Sequence, residues 1–266
     1  MLIVDRLLTL LEGKIPPTQM QTLRRKIEDW RPSLSFAVNH KQQHQALAEF
    51  EQCRTPTEYM AFASIWLGVG AVQIPEEITA ALNFVAADSP RYVCEIGTED
   101  GGTTFLLSNM LSSAELIIGI DLYVQNRPRL NILHRRELRL ILLNGSSYSS
   151  WMVHRVEKLL AGRNLDVLFI DGDHRYEGVR QDFLMYRHLL RENGFVLFHD
   201  IVQDHAARYG KSTPANSGGV PILWQELKHI YPFREFVQDY RQNGMGIGVI
   251  RYSSSIELPA WFIHRT

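Results

Sequence analysis

From residue 91 to residue 251 the chain alternates short apolar runs with stretches of helical spacing. Few folds satisfy that alternation. Runs of five or six apolar residues bounded by polar turns read as strands buried on both faces of a sheet. Residues 91–96, 116–121, 138–143, 166–170 and 194–198 are five such runs. Helical spacing falls between them at 103–111, 150–160 and 176–190, with a polar segment around 127–136. A further helix at 220–230 precedes two closing strands at 233–237 and 245–251. The pattern predicts an α/β protein: a Rossmann-like, doubly wound, mostly parallel sheet with a closing antiparallel strand and right-handed crossovers.

Residues before about 89 have a different texture, with mixed charge, long apolar side chains and few β-branched runs. They predict a helical N-terminal segment over 1–74, serving as cap, lid or oligomer contact, with the α/β domain over 75–266. In 1–12 charges interrupt the apolar stretch, which fits an amphipathic helix and not a secretory leader. Pro16-Pro17 and Pro32 break the segment. Glu76 and Glu77 after Pro75 mark a helix start, with acids favourably placed for the dipole. That helix should carry Ile78, Leu82, Phe84 and Val85 to the core and end at Asp88-Ser89-Pro90.

Charge and cysteine content narrow the partners. The formal net charge is -1, so no basic face for nucleic acid is implied. The most apolar stretch, 61–74, is shorter than the roughly 18 residues a spanning helix needs. Cys53 and Cys94 form no motif, and Cys94 lies in a predicted strand, where a free thiol acts as a small apolar group. A cytoplasmic protein without membrane or nucleic-acid partners is expected. The apolar tail Pro259-Ala-Trp261-Phe262-Ile263 should dock on its own domain or on a second copy in a homo-oligomer.

Two stretches carry the chemistry: Val167-Leu-Phe-Ile-Asp171-Gly-Asp173-His174 and Gly194-Phe-Val-Leu-Phe-His199-Asp200. Ligands bind just outside the carboxyl ends of parallel strands, so acids and histidines at two successive ends point to one shared site. Aspartates also cap helices well, which is the competing reading of Asp171 and Asp200. The first strand leads into Glu95-Ile-Gly97-Thr98-Glu99-Asp100-Gly101-Gly102-Thr103. Its glycines permit positive φ and close backbone approach, although the turn is neither G-x-G-x-x-G nor a P-loop. Asp121 ends the second strand, where an acid can hold ribose hydroxyls. The segment 202–219 has the length of a functional lid. Its His205, Arg208, Tyr209 and Lys211 would reach substrate on closure about Gly218-Gly219, or lie solvated. Tyr176 is expected near the pocket, Asp182 solvated or paired with an arginine, and Trp224 in packing.

Glu95-Ile-Gly97 with Gly101-Gly102-Thr103 and Gly119-Ile-Asp121 resembles the nucleotide-binding half of class I S-adenosylmethionine-dependent methyltransferases, over about 75–252. The resemblance implies that 75–266 is a class I methyltransferase domain. It implies a cofactor lined by Glu95, Gly97, Thr98, Gly101 and Asp171, with Asp121 on the ribose and Ser146 near the adenine; otherwise Ser146 is an ordinary helix cap. The two strand ends, with Gly219-Val220-Pro221-Ile-Leu-Trp224-Gln-Glu226-Leu227, are similar to the branch containing cephalosporin-hydroxylase-like proteins and macrolide sugar O-methyltransferases. Several members of that branch hold a divalent ion, usually magnesium. By that match Asp171 and Asp200 are ligands.

The position before Asp200 is often acidic in those members and is His199 here. Magnesium prefers oxygen donors, whereas imidazole suits manganese, iron or zinc. Either His199 is a ligand, or it turns away and Asp173 or Asp204 supplies an oxygen, or no metal binds. The implied activity is O-methyl transfer to a small molecule or sugar in natural-product biosynthesis. His174 is the first choice of base and His199 the second, with Asp171 beside them. The alternatives are a metal-dependent hydroxylase using His174, His199 and Asp200, and a non-catalytic cofactor-binding module.

Overall fold

The computed structural model describes residues 35–67 and 73–264, together with Lys14, Pro16 and Met20. The expected helix over 1–12 and the breaks at Pro17 and Pro32 lie outside the described residues.

Helices α1 (His40–Phe50), α2 (Pro56–Trp66) and α3 (Pro75–Ala86) come first. A capping box starts α2: Glu58 N donates to Thr55 Oγ1 at 3.3 Å and Thr55 N donates to Glu58 Oε2 at 2.8 Å, satisfying two otherwise orphaned donors. Alternation follows with β1 (Tyr92–Ile96), α4 (Gly102–Met110), β2 (Leu116–Asp121), the single turn α5 (Arg127–Leu130) and β3 (Arg139–Asn144). Then come α6 (Ser150–Leu160), β4 (Leu165–Ile170), α7 (Tyr176–Tyr186) and β5 (Leu190–His199). The chain closes with α8 (His205–Tyr209), α9 (Val220–Leu227), β6 (Phe233–Phe236), β7 (Ile247–Arg251) and α10 (Ala260–His264).

The sheet order is β3-β2-β1-β4-β5-β7-β6. It is parallel except for β7, which runs antiparallel to both β5 and β6. This is the Rossmann-like sheet with a closing antiparallel strand. Register positions the site. Ile96 stands opposite both Ile120 and Ile170, and Ile170 stands opposite Phe198. The residues that follow these positions, Gly97, Asp121, Asp171 and His199, therefore emerge along one edge.

Side-chain alternation builds a core on each face. Cys94, Ile118, Leu168 and Val196 meet α6, α7 and α9 through Val156, Phe183 and Trp224. Val93, Ile117, Val167 and Phe195 meet α3 and α4 through Ile78, Leu82 and Leu107. A third cluster joins α1 and α2 to α4, where the Phe62 and Phe105 rings stack 5.5 Å apart. Each fully buried aliphatic or aromatic side chain in these layers contributes roughly 1.5–3 kcal/mol.

Several expectations need correction. The helix expected over 176–190 ends at Tyr186, a 3₁₀ turn spans Arg187–Leu189, and β5 starts at Leu190. The pairing with β4 shifts between Leu165 and Val167, which admits the extra residues around Asn193, at φ 58°. The 202–219 segment contains α8, whose N-cap is Asp204. The apolar tail docks on its own chain: Phe262 is fully buried against Phe183, and its carbonyl accepts from Arg180 Nη1 at 2.8 Å. No helix among the described residues is long and apolar enough to cross a membrane.

Candidate functional site

The carboxyl ends of β1, β2, β4 and β5 border a cleft of about 1090 Å³. Its floor is the glycine turn after β1. Gly97 has φ 94°, and a Cβ there would fall 2.0 Å from the Asp171 carbonyl oxygen. The turn is tied on both sides, by Gly97 N donating to Ile120 O and Asp171 N donating to Ile96 O, each at 2.8 Å. A side chain at 97 would therefore drive a wedge between β1 and β4.

Asp121 faces the cleft with a prearranged carboxylate. Glu99 N donates to its Oδ2 at 2.9 Å and Tyr123 N to its Oδ1 at 2.8 Å. Gly97, Thr98, Gly101, Asp121, Ser146 and Asp171 all line the cleft. Glu95 does not. It is fully buried beneath the turn and accepts hydrogen bonds from the hydroxyls of Thr98 and Thr104. Burial lifts its carboxyl to about 8, although those two hydroxyls pull the other way. Its place is structural support for the turn, because the β1 pleat puts it with Val93 on the face covered by α4, where Thr104 meets it.

At the other end of the cleft, donor atoms of Asp171, His174 and Asp200 lie within 4.8 Å of one another. His174 Nε2 is 3.7 Å from Asp171 Oδ1, and His174 Nδ1 is 3.6 Å from Asp200 Oδ2. The Asn216 carbonyl accepts from His174 Nδ1. A carbonyl only accepts, so Nδ1 carries the hydrogen and the lone pair of a neutral His174 lies on Nε2. His199 was expected among the metal ligands, and it falls outside this converging set. It is buried, with Nδ1 donating to Asp171 Oδ1 at 3.1 Å and Asp200 Oδ2 at 3.5 Å, and its Nε2 finds no partner among the described residues.

Charges in the cluster support one another. Burial pushes Asp171 up, but His199 and His174 more than reverse this and hold its carboxyl below the usual range. Burial works against a charged His199, yet Asp171 and Asp200 outweigh it and raise its pKa. His174 rises to about 9, chiefly through Asp171; burial opposes the rise and Asp200 adds to it. Asp200 itself adopts φ 61°, outside the usual range for a residue with a Cβ, and is pinned by Met245 N donating to its Oδ1 at 2.7 Å. Strain of this kind persists only where surrounding contacts enforce it.

Neither Asp171 nor Asp200 caps a helix; Arg175 and Asp204 hold those positions. The two alternative oxygen donors are committed elsewhere. Asp173 accepts from Arg175 Nη2 at 2.5 Å and from Tyr148 Oη at 2.9 Å. Asp204 accepts from Ser217 N at 2.9 Å and Ala207 N at 2.7 Å. Tyr176 turns away from the cleft, its hydroxyl donating to Glu226 Oε2 at 2.6 Å. From the 202–219 segment Pro214, Ala215 and Asn216 line the cleft, and not His205, Arg208, Tyr209 or Lys211. Gly218 and Gly219 serve close packing: a Cβ on Gly218 would sit 2.2 Å from the His174 carbonyl oxygen, to which Gly219 N donates at 2.7 Å.

Two residues join the site without a motif to announce them. Gln73 donates from Nε2 to Asp171 Oδ2 at 3.1 Å. The buried carboxylate of Glu77 accepts from Gln238 N, Gln242 Nε2 and Gly246 N at 2.8, 2.8 and 2.9 Å. Glu77 thereby holds the β6–β7 turn that pins Asp200.

Residues 94–201 match a family described as "Methyltransferase domain". An uncharacterised protein of Acanthamoeba polyphaga mimivirus is 33% identical over 129 residues, covering 44% of this chain and 54% of that protein. The chain thus spans about half the length of that curated relative. An O-methyltransferase from Bacillus cereus, solved in complex with SAH, superposes with TM-score 0.54 at 15% identity, over 78% of this chain and 96% of its own. TomG, an O-methyltransferase from Streptomyces achromogenes solved with SAM, gives 0.53 at 13% identity over 76% and 92%. The MycE methyltransferase, solved with Mg, SAH and mycinamycin VI, gives 0.50 at 16% identity over 79% and 57%. Identities this low establish a shared fold.

Proposed function

We propose that this chain, whose residues 94–201 match a methyltransferase domain family, transfers the methyl group of S-adenosylmethionine to a hydroxyl of a small molecule or sugar, with a divalent ion assisting. One observation carries this reading. The glycine turn and Asp121 share a single cleft with the converging Asp171, His174 and Asp200.

The residues present fit both groups. Gly97 leaves the floor open where a Cβ would strike backbone, and Asp121 offers a fixed carboxylate to a ribose diol. The carboxylates of Asp171 and Asp200 suit magnesium with added water, or manganese, and leave His174 Nε2 for the proton. They do not make the two-histidine, one-carboxylate pattern of oxygenases, so nothing favours a hydroxylase. When bound, S-adenosylmethionine would supply an activated methyl, and a divalent ion held by Asp171 and Asp200 would acidify the acceptor hydroxyl.

The chain's own residues do the rest. His174 Nε2 takes the acceptor proton, while Asn216 holds Nδ1 and so fixes the ring and tautomer. General-base catalysis of this kind is worth roughly 10²–10⁴-fold. Asp171, held by Gln73 and His199, keeps the anionic end of the cleft in place. The lid residues Pro214–Asn216 help exclude water, and holding the two reactants together contributes through orientation. Cytoplasmic residence and a role in natural-product biosynthesis complete the proposal.

Calorimetric titration of the EDTA-treated protein with S-adenosylmethionine, with and without magnesium, tests the reading. Saturable binding is expected, followed by methylation of at least one sugar or phenolic hydroxyl; absence of binding in both conditions removes it. Proton balance yields a second expected outcome. Only neutral His174 can act as base, and its pKa near 9 means the neutral fraction grows as pH rises. Turnover at limiting metal should therefore climb until about pH 9. Added manganese neutralises the carboxylates of Asp171 and Asp200 that raise His174, and should move that limb downward. A rate profile of identical shape at both metal levels would remove His174 as base.

A further inference from the structure

Asp182 is not the solvated or arginine-paired residue expected from its place within a helix. It is fully buried on α7, and neither carboxylate oxygen has a hydrogen-bond partner among the described residues. Its neighbours on the same helix face, at i−4 and i+4, are Gly178 and Tyr186. All three positions address one loop, residues 145–148, which lines the cleft next to Asp121. Gly178 admits that loop: a Cβ there would fall 2.5 Å from Tyr148 Oη and 2.4 Å from Asp173 Cγ. Tyr186 Oη donates to the Ser147 carbonyl at 3.0 Å. Between these two anchors lies Asp182, within electrostatic reach of the Ser147 side chain. Tyr148 Oη reaches on to Asp173, so the same helix face links the 145–148 loop to the loop after β4.

We propose that Asp182 is a positioning residue for the cofactor: it sets the 145–148 loop through the Ser147 hydroxyl, and it lowers fold stability while doing so. This rests on the reading of the cleft as an S-adenosylmethionine site. A buried carboxylate without hydrogen bonds is among the costlier groups a fold can hold, and apolar or neutral replacements commonly stabilise. An unsatisfied group of this kind calls for a specific explanation, such as a role in function. Burial lifts the Asp182 carboxyl to about 7 against the pull of Ser147, and the charge of Asp173 adds to the rise. Tyr148, Tyr186 and Cys94 are the other titratable groups facing it. A ligand that draws the loop inward completes the Ser147–Asp182 hydrogen bond.

The test measures thermal midpoint, SAH affinity and Mn²⁺ affinity on the full chain. Asp182→Asn and Asp182→Leu should raise the midpoint by about 2–4 °C and weaken SAH about tenfold. Mn²⁺ affinity should stay unchanged, because the hydrogen bonds that hold Asp171, His174 and Asp200 come from Gln73, His199, Asn216 and Met245 and not from residues 145–148. Ser147→Ala should weaken SAH similarly, and Asp182→Asn/Ser147→Ala should add little to either single change. A fall in midpoint with SAH affinity intact would make Asp182 a purely structural residue and overturn the proposal, as would parallel losses of SAH and Mn²⁺. Additive single effects would also overturn it. Failure of the unsubstituted protein to bind SAH would instead remove the methyltransferase reading, and this inference with it.

Discussion

Asp171→Asn is expected to lower methyl-transfer turnover by about 10³-fold or more while the protein still folds. Both hydrogen-bond partners of this carboxylate are donors, Gln73 Nε2 and His199 Nδ1, each at 3.1 Å, and His174 Nε2 stands 3.7 Å away as an ion-pair partner when protonated. An asparagine has the same shape but only one acceptor oxygen, so its NH₂ must face a donor. Removing the charge also withdraws the support that raises His174 and His199. The proposed divalent ion loses one of its two carboxylates. Binding, proton transfer and ring orientation therefore fail together, which is why the effect should exceed that of removing a base alone. Initial rates of SAH release, alongside circular dichroism of the variant, decide the matter. A folded variant within tenfold of the original rate would show that Asp171 has no part in the chemistry.

The residues that could be read in advance owe their legibility to topology. Asp121, Asp171, His199 and Asp200 follow apolar runs, and a parallel sheet gathers such positions along one edge whatever the details of packing. Gly97 was legible for a related reason, since a turn between a strand and a helix at that edge demands close approach. Gln73 carried no such signal. It meets Asp171 across 98 positions of sequence, and its neighbours follow no motif. Glu77 was assigned to the helix dipole, because an acid in a first turn is favourable there without any tertiary partner. Its three acceptor contacts come from a turn more than 160 residues away. Asp182 was misread because its chemical type argued for solvent while its spacing argued for the core. It lies between Phe183, Val179 and Tyr186 on the buried side of α7. The lid was misread in its chemistry, since the polar side chains drew attention while the backbone near Asn216 meets His174.

Gly97→Ala carries the second large expectation, a loss of about 3 kcal/mol or more in stability together with loss of SAH binding. Two causes add. At φ 94° a residue with a Cβ is strained wherever it stands, and at 97 that Cβ would also lie 2.0 Å from Asp171 O and 2.4 Å from Asp171 C. Those atoms are backbone, tied to β1 by Asp171 N donating to Ile96 O, so no side-chain rotation relieves the contact. Relief requires β4's end to move away from β1, which displaces Asp171 from His174 and opens the cleft floor. Gly162 supplies the comparison. Its φ is 81°, and a Cβ there meets nothing within 4 Å, so Gly162→Ala should show the backbone strain alone, about 1–2 kcal/mol. At roughly 2–4 °C per kcal/mol for a domain of this size, Gly97→Ala should lower the thermal midpoint by about 6–12 °C and Gly162→Ala by about 2–8 °C. SAH affinity should fall only in the first. Equal midpoint shifts with SAH binding retained in both would mean that the turn tolerates a Cβ, and that the contact between β1 and β4 does not hold the cofactor floor.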